Sequence, residues 1–143
     1  MGGPGRGGPF GAQSQANLTV GQTITITSTS GEYALASNHT QTGTASGTLT
    51  FTVTGKLSQG YTLSITSGSL VVGGTTYTVT SGTAQMDNSA SQLEGQGATS
   101  SSGAFLLSAS AHGSFAGSSA SVSLDLTNGS TEYLVFLSGG ITG

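Results

Sequence analysis

The chain has 143 residues, of which two are basic, five are acidic and none is cysteine, and its formal net charge is −3. A chain of this length can form one domain with a substantial core. The charge excludes nucleic-acid binding and attachment to anionic membrane surfaces, which both need clustered Lys and Arg, and the lack of cysteine excludes disulfides, thiol catalysis and cysteine-ligated metals.

The surface of the folded chain is expected to be rich in hydroxyl groups, because serine and threonine supply 47 residues and glycine another 25. Charged side chains normally keep soluble proteins apart. A surface with so few charges suits a secreted protein, a densely packed assembly or a glycosylated coat. No run of about 18 apolar residues occurs, so the sequence predicts no membrane-spanning helix.

Residues 1–15 form a Gly/Pro-rich tail that is predicted to be flexible on its own. The tail lacks the apolar core of a secretory leader. Either a leader has been removed before Met1 or Met1 is the true start. We favour the first and expect an extracellular or cell-surface protein.

Residues 16–30 form a β-prone segment in which apolar and polar side chains alternate, the period of a strand. The remaining residues, 31–143, continue this alternation in short runs between turn residues, and no helical period appears. The predicted strands are 22–29, 31–36, 48–54, 61–66, 68–72, 75–80, 83–86, 92–99, 104–111 and the two arms of a hairpin over 120–138. These short strands, about ten in number, are typical of an antiparallel sandwich or barrel. We expect an all-β sandwich of the jelly-roll or immunoglobulin-like type.

The final hairpin is predicted from Asn128-Gly129, a dipeptide that favours a type I′ turn because both loop positions need positive φ. With these two residues as the loop, one core face holds Val122, Leu124, Leu126, Tyr133, Val135 and Leu137. Leu134 and Phe136 then face outward, so the last strand is apolar on both sides. We expect a second layer of the chain or another molecule to cover them, which makes them candidate assembly contacts.

The same register places Asp125 directly opposite Glu132 on the outer face. Like charges in such a cross-strand pair destabilise the sheet. Three outcomes are open. Both carboxylates stay solvated, one holds a proton because the other raises its pKa, or a cation bridges them.

Other polar residues offer few sites for chemistry. His39 and His112 are too few for a zinc site, and no nucleophile-elbow pattern accompanies them. The sequence therefore predicts no catalytic, cofactor-binding or metal-binding residue. Asn17, Asn38 and Asn128 begin N-x-Ser/Thr sequons and are candidate glycosylation sites in a secreted protein.

The predicted strands lack the residues that normally protect sheet edges, since Pro4 and Pro9 lie in the tail and Lys56 lies in a loop. The chain combines a Ser/Thr/Gly-rich, charge-poor body with a Gly/Pro-rich leader before a β-prone segment. In this it resembles the subunits of archaeal extracellular filaments, the threads and related pili. The resemblance implies a β-sandwich whose N-terminal segment donates a strand to the next subunit.

On this basis we expect a non-enzymatic structural subunit that polymerises head-to-tail with copies of itself, because a heterologous contact that does not close produces an open filament. The donated side chains would be Leu18, Val20, Ile24 and Ile26. The alternative is a monomeric secreted β-sandwich binding module of unknown ligand, such as a carbohydrate or a surface. The two hypotheses differ in whether residues 1–30 serve the chain's own fold or that of a neighbour.

Overall fold

The computed structural model describes residues 18–100, 103–112, 114–115 and 119–142, so the predicted tail and Asn17 lie outside the described residues. Within this part of the chain all regular structure is β-strand, which confirms the predicted all-β class. These same residues contain no helix long and apolar enough to cross a membrane.

The described residues form eight strands, which we number in chain order. They are β1 (Thr23–Leu35), β2 (Asn38–Leu57), β3 (Gly60–Val72), β4 (Thr75–Asp87), β5 (Gln92–Thr99), β6 (Ala104–Ala111), β7 (Ser119–Asn128) and β8 (Thr131–Thr142). Each strand pairs antiparallel with the next, and β1 also pairs with β8, so that one sheet closes into a barrel.

The eight strands of the described residues replace the predicted ten, and the closed barrel takes the place of the predicted sandwich. Some predicted turns are bends within longer strands. Segments 22–29 and 31–36 join in β1 across a register shift between Ser28 and Gly31, and β3 and β4 each join two predicted segments in the same way. Because one closed sheet buries its apolar face inside itself, no second sheet is needed to cover it.

Alternation along the strands sends apolar side chains into the barrel and leaves mainly Ser and Thr outside. The largest fully buried side chains are Tyr77, Phe51, Phe105, Phe115, Ile24, Leu63, Leu70, Leu93, Leu126, Val53 and Val135. They belong to one continuous core cluster, as expected for a barrel of this strand number, whose interior is just wide enough for side chains to fill. Because side chains fill the interior, a binding site of this barrel must lie on its outer wall or at its two ends.

Loops close one end of the barrel. Leu18 is buried there, with its amide 3.4 Å from the hydroxyl oxygen of Tyr61. Phe115 is also buried, and its amide donates a hydrogen bond to the carbonyl oxygen of Ala90 at 2.5 Å. Leu18, the first residue that the structure describes, thus belongs to the chain's own core.

Asp87 organises the loop between β4 and β5 at this end. Its Oδ1 accepts hydrogen bonds from the amides of Ser91 and Gln92 at 2.8 and 3.0 Å, and its Oδ2 accepts from the hydroxyls of Ser89 and Ser91 at 2.7 and 3.0 Å. Burial alone would raise the pKa of Asp87, but the hydrogen bonds from Ser89, Gln92 and Ser91 outweigh it and lower the pKa. The ionised carboxylate therefore holds the loop together.

Tyrosines gather at the opposite end. The rings of Tyr33 and Tyr133 meet edge to face with centroids 5.6 Å apart. Burial raises the pKa of Tyr133, and the neighbouring Tyr77 and Tyr33 raise it further. Phenol rings close this end of the barrel, whereas loops close the other end.

The last hairpin turns one residue later than predicted. Asn128 pairs with Thr131, so the loop is Gly129-Ser130, and Gly129 has the positive φ of 65° that a type II′ loop needs at its first position. Asn128 stays in the sheet, where its Nδ2 donates to the hydroxyl of Tyr77 at 3.2 Å. Every side chain keeps its predicted face despite the shift, and the predicted core face is confirmed.

The seam between β1 and β8 closes the barrel. Its register shifts between Thr27 and Ser30, and the buried Ser28 donates a hydrogen bond to the carbonyl oxygen of Ser138 at 2.8 Å. Gly139 lies against this irregularity and has no room for a side chain, because a Cβ would overlap the carbonyl oxygen of Thr27. Close backbone contact therefore holds the seam.

Candidate functional site

Three apolar side chains lie together on the outer wall of the barrel. Leu106 of β6 is 60% exposed and Phe136 of β8 is 52% exposed, while Leu134 of β8 is half-buried. Leu106 pairs across the sheet with Asp125 of β7, which in turn pairs with Leu134. The predicted outward position of Leu134 and Phe136 is therefore observed, and Leu106 extends their patch over three strands.

Carboxylates surround this patch. Glu32 of β1 is the cross-strand neighbour of Phe136, Asp125 lies between Leu106 and Leu134, and the other two are Glu94 and Glu132. Of the five acidic residues of the chain, all within the described residues, these four lie on this side and Asp87 ends β4 at the loop-closed end of the barrel. We call Leu106, Leu134, Phe136 and the four carboxylates the acidic apolar face.

The acidic apolar face is grooved. One hollow of about 360 Å³ is lined by Glu94, Leu106, Asp125, Leu134 and Phe136, among others. A second hollow, of about 660 Å³, shares Leu106 and Asp125 with the first and reaches Glu132. Together the two hollows form a trough across β5 to β8. An extended peptide in this trough would contact both apolar side chains and carboxylates.

Sequence reasoning missed Leu106. The signal was present in the run Phe105-Leu106-Leu107, because alternation within a strand must turn the middle side chain of three outward. Glu32 and Glu94 could not be added from the sequence, since they reach the patch only through the pairing of β1 with β8 and the order of β5 to β7.

Asp125 and Glu132 lie diagonally on this face, where the sequence predicted them directly opposite. Asp125 pairs with Leu134 and Glu132 pairs with Thr127, as the later turn requires. The two carboxyl groups still share a hydrogen bond, which raises the pKa of Glu132, and the charge of Asp125 raises it further. A raised pKa means that Glu132 keeps its proton to a higher pH than an isolated glutamate does, and above that pH the two carboxylates repel each other.

We expect Glu132→Gln to raise the free energy of unfolding at pH 7 and to lose that advantage below about pH 4. Because the folded-state pKa of Glu132 is raised, its stabilising contribution is present below the ordinary pKa. That contribution is lost as the pH rises through the folded-state value, where two charged carboxylates face each other. Urea unfolding at several pH values measures the difference.

The matched background for this experiment is Asp125→Asn. In that background Glu132→Gln should no longer produce a pH-dependent difference, because the second carboxylate is gone. A difference of the same size in both backgrounds would show that Asp125 is not the cause.

The predicted donor-strand side chains lie in or near β1. Ile24 and Ile26 are buried within the barrel, and Leu18 is buried at its end, whereas Val20 is 56% exposed. β1 is hydrogen-bonded on one side to β2 and on the other to β8 of the same chain. Donation to a neighbour stays a prediction, and it would require the β1 of one copy to take this place in another.

The glycosylation candidates differ in access. Asn38 is exposed at the start of β2, and its Oδ1 accepts hydrogen bonds from the amide and hydroxyl of Thr40 at 3.2 and 2.6 Å. The Nδ2 of Asn128, the atom to which a glycan would be joined, is instead bonded to the hydroxyl of Tyr77. Asn38 is therefore the better placed of the two, and its modification stays a prediction.

The histidines do not meet in one place. His39 is exposed on β2, and His112 lines a hollow at the loop-closed end whose described lining includes Ser110, Ser119 and Ser138 and contains no carboxylate. Among the described residues no group of three or more His, Cys, Asp or Glu side chains is placed to hold a metal ion.

Comparison of the chain with protein-family models, curated proteins and solved structures found no match. The acidic apolar face is therefore interpreted from its own geometry and chemistry.

Proposed function

We propose that this chain is a non-enzymatic structural subunit of an extracellular filament, built from copies of itself. The observation that carries the proposal is the acidic apolar face, where Leu106 and Phe136 are each more than half exposed. Contiguous exposed apolar side chains rimmed by polar groups mark protein interaction sites. Elsewhere the wall is mostly Ser and Thr with few charges, so little electrostatic repulsion keeps copies apart.

Strand donation is the assembly route that we propose. In such a filament the β1 of one copy lies between the β2 and β8 of the next. Main-chain hydrogen bonds on both sides of the strand supply affinity, and Ile24 and Ile26 set the register by entering the neighbour's core. The contact joins different surfaces of the two copies, so it builds an open filament when the rotation from copy to copy does not close into a ring.

A cysteine pair across β1 and β2 tests this route. The hydroxyl oxygens of Thr25 and Thr50 lie 3.1 Å apart, so cysteines at both positions can form a disulfide after modest adjustment. If β1 is donated, oxidation of the assembled Thr25→Cys/Thr50→Cys protein joins successive copies. Non-reducing gels of the denatured protein should then show a ladder of covalent multimers.

Thr54 and Thr62 provide the control, because their hydroxyls are also 3.1 Å apart but join β2 to β3. Cysteines there should give only monomers. Filaments whose Thr25→Cys/Thr50→Cys form also gives only monomers would exclude donation and leave another contact to hold the filament. Absence of filaments in electron micrographs of the unmodified protein would exclude the proposed function itself.

A second candidate is a monomeric secreted binding module. The trough between Leu106 and Glu132 favours it, because a groove with apolar walls and a few polar groups is typical of ligand sites. This candidate predicts monomers at high concentration and a ligand whose binding is lost in Leu106→Ser. The filament proposal predicts instead that Leu106→Ser weakens self-association.

A further inference from the structure

We propose that the acidic apolar face binds the N-terminal segment Arg6–Phe10 of a neighbouring copy of the chain. The inference rests on the proposed self-assembly and adds to it a second contact, made by side chains. Its support comes from charge, spacing and reach.

The first support is charge complementarity. The acidic apolar face carries four carboxylates, and the chain has two basic residues that could form ion pairs with them, Arg6 and Lys56. Lys56 is exposed on β2, paired with Tyr61 on the far side of the barrel from β6 and β7. Arg6 precedes Leu18, the first residue that the structure describes, by twelve residues. A planar guanidinium also suits two adjacent carboxyl groups better than an ammonium does.

The second support is spacing. Arg6 and Phe10 are four residues apart, and Glu132 and Phe136 are also four residues apart on one outer face of β8. In extended chains both separations are about 13 Å. A segment laid parallel to β8 therefore brings Arg6 to Glu132 as Phe10 reaches Phe136, where two aromatic rings can pack. The residues between, Gly7-Gly8-Pro9, carry no long side chain to hold the backbone off the wall.

The third support is the length of chain between Phe10 and Leu18, which makes a neighbouring copy the easier source of the segment. Leu18 is buried at the same end of the barrel as Thr142. Phe136 lies six residues from Thr142, about 20 Å along the wall, whereas the eight residues from Phe10 to Leu18 span at most about 28 Å. The chain's own segment would use most of this length along the wall and would still have to leave the interior and pass over the rim. A neighbouring copy meets no such limit.

Single cysteines test the contact, because the chain has none of its own. A Phe10→Cys chain is mixed with a Phe136→Cys chain and oxidised mildly, and the heterodimer is followed on non-reducing gels. The control partner is Leu57→Cys, since Leu57 and Phe136 are both 52% exposed but Leu57 lies on β2. We expect the Phe136→Cys mixture to crosslink about tenfold faster, because docking raises the effective concentration of the two thiols.

Equal rates for the two mixtures would overturn the inference. So would a disulfide that forms only within one chain of the Phe10→Cys/Phe136→Cys double variant, because the segment would then bind its own barrel. Crosslinking of Phe10→Cys to Phe136→Cys in a sample without filaments would keep this contact and reject the filament. Filaments that form without selective crosslinking would support the filament and reject this contact.

The charge pairing is tested separately in the same assay. Arg6→Glu should slow the crosslinking about fivefold, the range expected for exposed ion pairs, and adding Glu132→Arg to the Phe136→Cys partner should restore the rate. Lys56→Glu makes the same change in net charge and should leave the rate unaltered. Equal slowing by Arg6→Glu and Lys56→Glu would reject Arg6 as the cation that binds.

Discussion

Replacement of Phe105 by alanine is expected to lower the free energy of unfolding by about 3–5 kcal/mol, a large part of the stability of a small domain. Phe105 is 2% exposed inside the barrel. Its ring fills space that Gly97 of the adjacent strand leaves open, since a Cβ at Gly97 would lie about 2.5 Å from the ring. Because Gly97 has no side chain that could fill the space, the cavity left by Phe105→Ala should stay open.

Leu106→Ala is the control for this substitution, because Leu106 is the next residue of the same strand and is 60% exposed. Its effect on unfolding should stay within about 0.5 kcal/mol. Urea titrations followed by far-UV circular dichroism measure both variants. A Phe105→Ala protein that unfolds at nearly the same urea concentration as the parent would contradict the packed interior.

Substitution of Gly139 by alanine should destabilise the barrel by about 3 kcal/mol, although it adds only one methyl group. The Cβ would overlap the carbonyl oxygen of Thr27, and backbone atoms cannot turn aside as a side chain can. Gly139 also lies at the seam between β1 and β8, where the hydroxyl of Ser28 donates a hydrogen bond to the carbonyl oxygen of Ser138. We expect the thermal midpoint to fall and amides along β1 to exchange with solvent faster than those of β3.

The neighbouring Ser138→Ala substitution serves as the comparison, because the Ser138 side chain is exposed and its carbonyl group remains in place. Its thermal midpoint should match that of the parent. If Gly139→Ala were equally harmless, the close approach of β1 and β8 at this point would be wrong.

The sequence predicts strand content and the inner face of each strand well, because both depend on alternation that can be read locally. It predicts the way the sheet closes poorly. Ser28 and Ser138 are joined across 110 positions, and nothing in the period of β1 or β8 identifies one as the partner of the other. A sandwich and a barrel therefore have the same local pattern, and only the pairing distinguishes them.

The final hairpin shows the same limit at short range. Asn128-Gly129 is a strong local signal for a type I′ turn, yet Asn128 remains in the sheet and bonds to Tyr77, 51 positions away. A contact distant in sequence thus outweighs the local preference. The shift preserves the alternation, so Phe136 faces outward as predicted. The predicted pairing of Asp125 with Glu132 was wrong, because the later turn pairs Asp125 with Leu134.

The pairing of β1 with β8 also has a kinetic consequence. All other pairings among the described strands join neighbours in the chain and can form as hairpins, whereas the seam must bring together the two ends of the barrel. Closing so long a loop is entropically unfavourable, so this step is expected to come late in folding. Until then β1 and the unpaired side of β8 are open edges, and a neighbouring chain can pair with them. Whether a copy closes on itself or joins another would then be decided during folding, by the local concentration of unfinished chains.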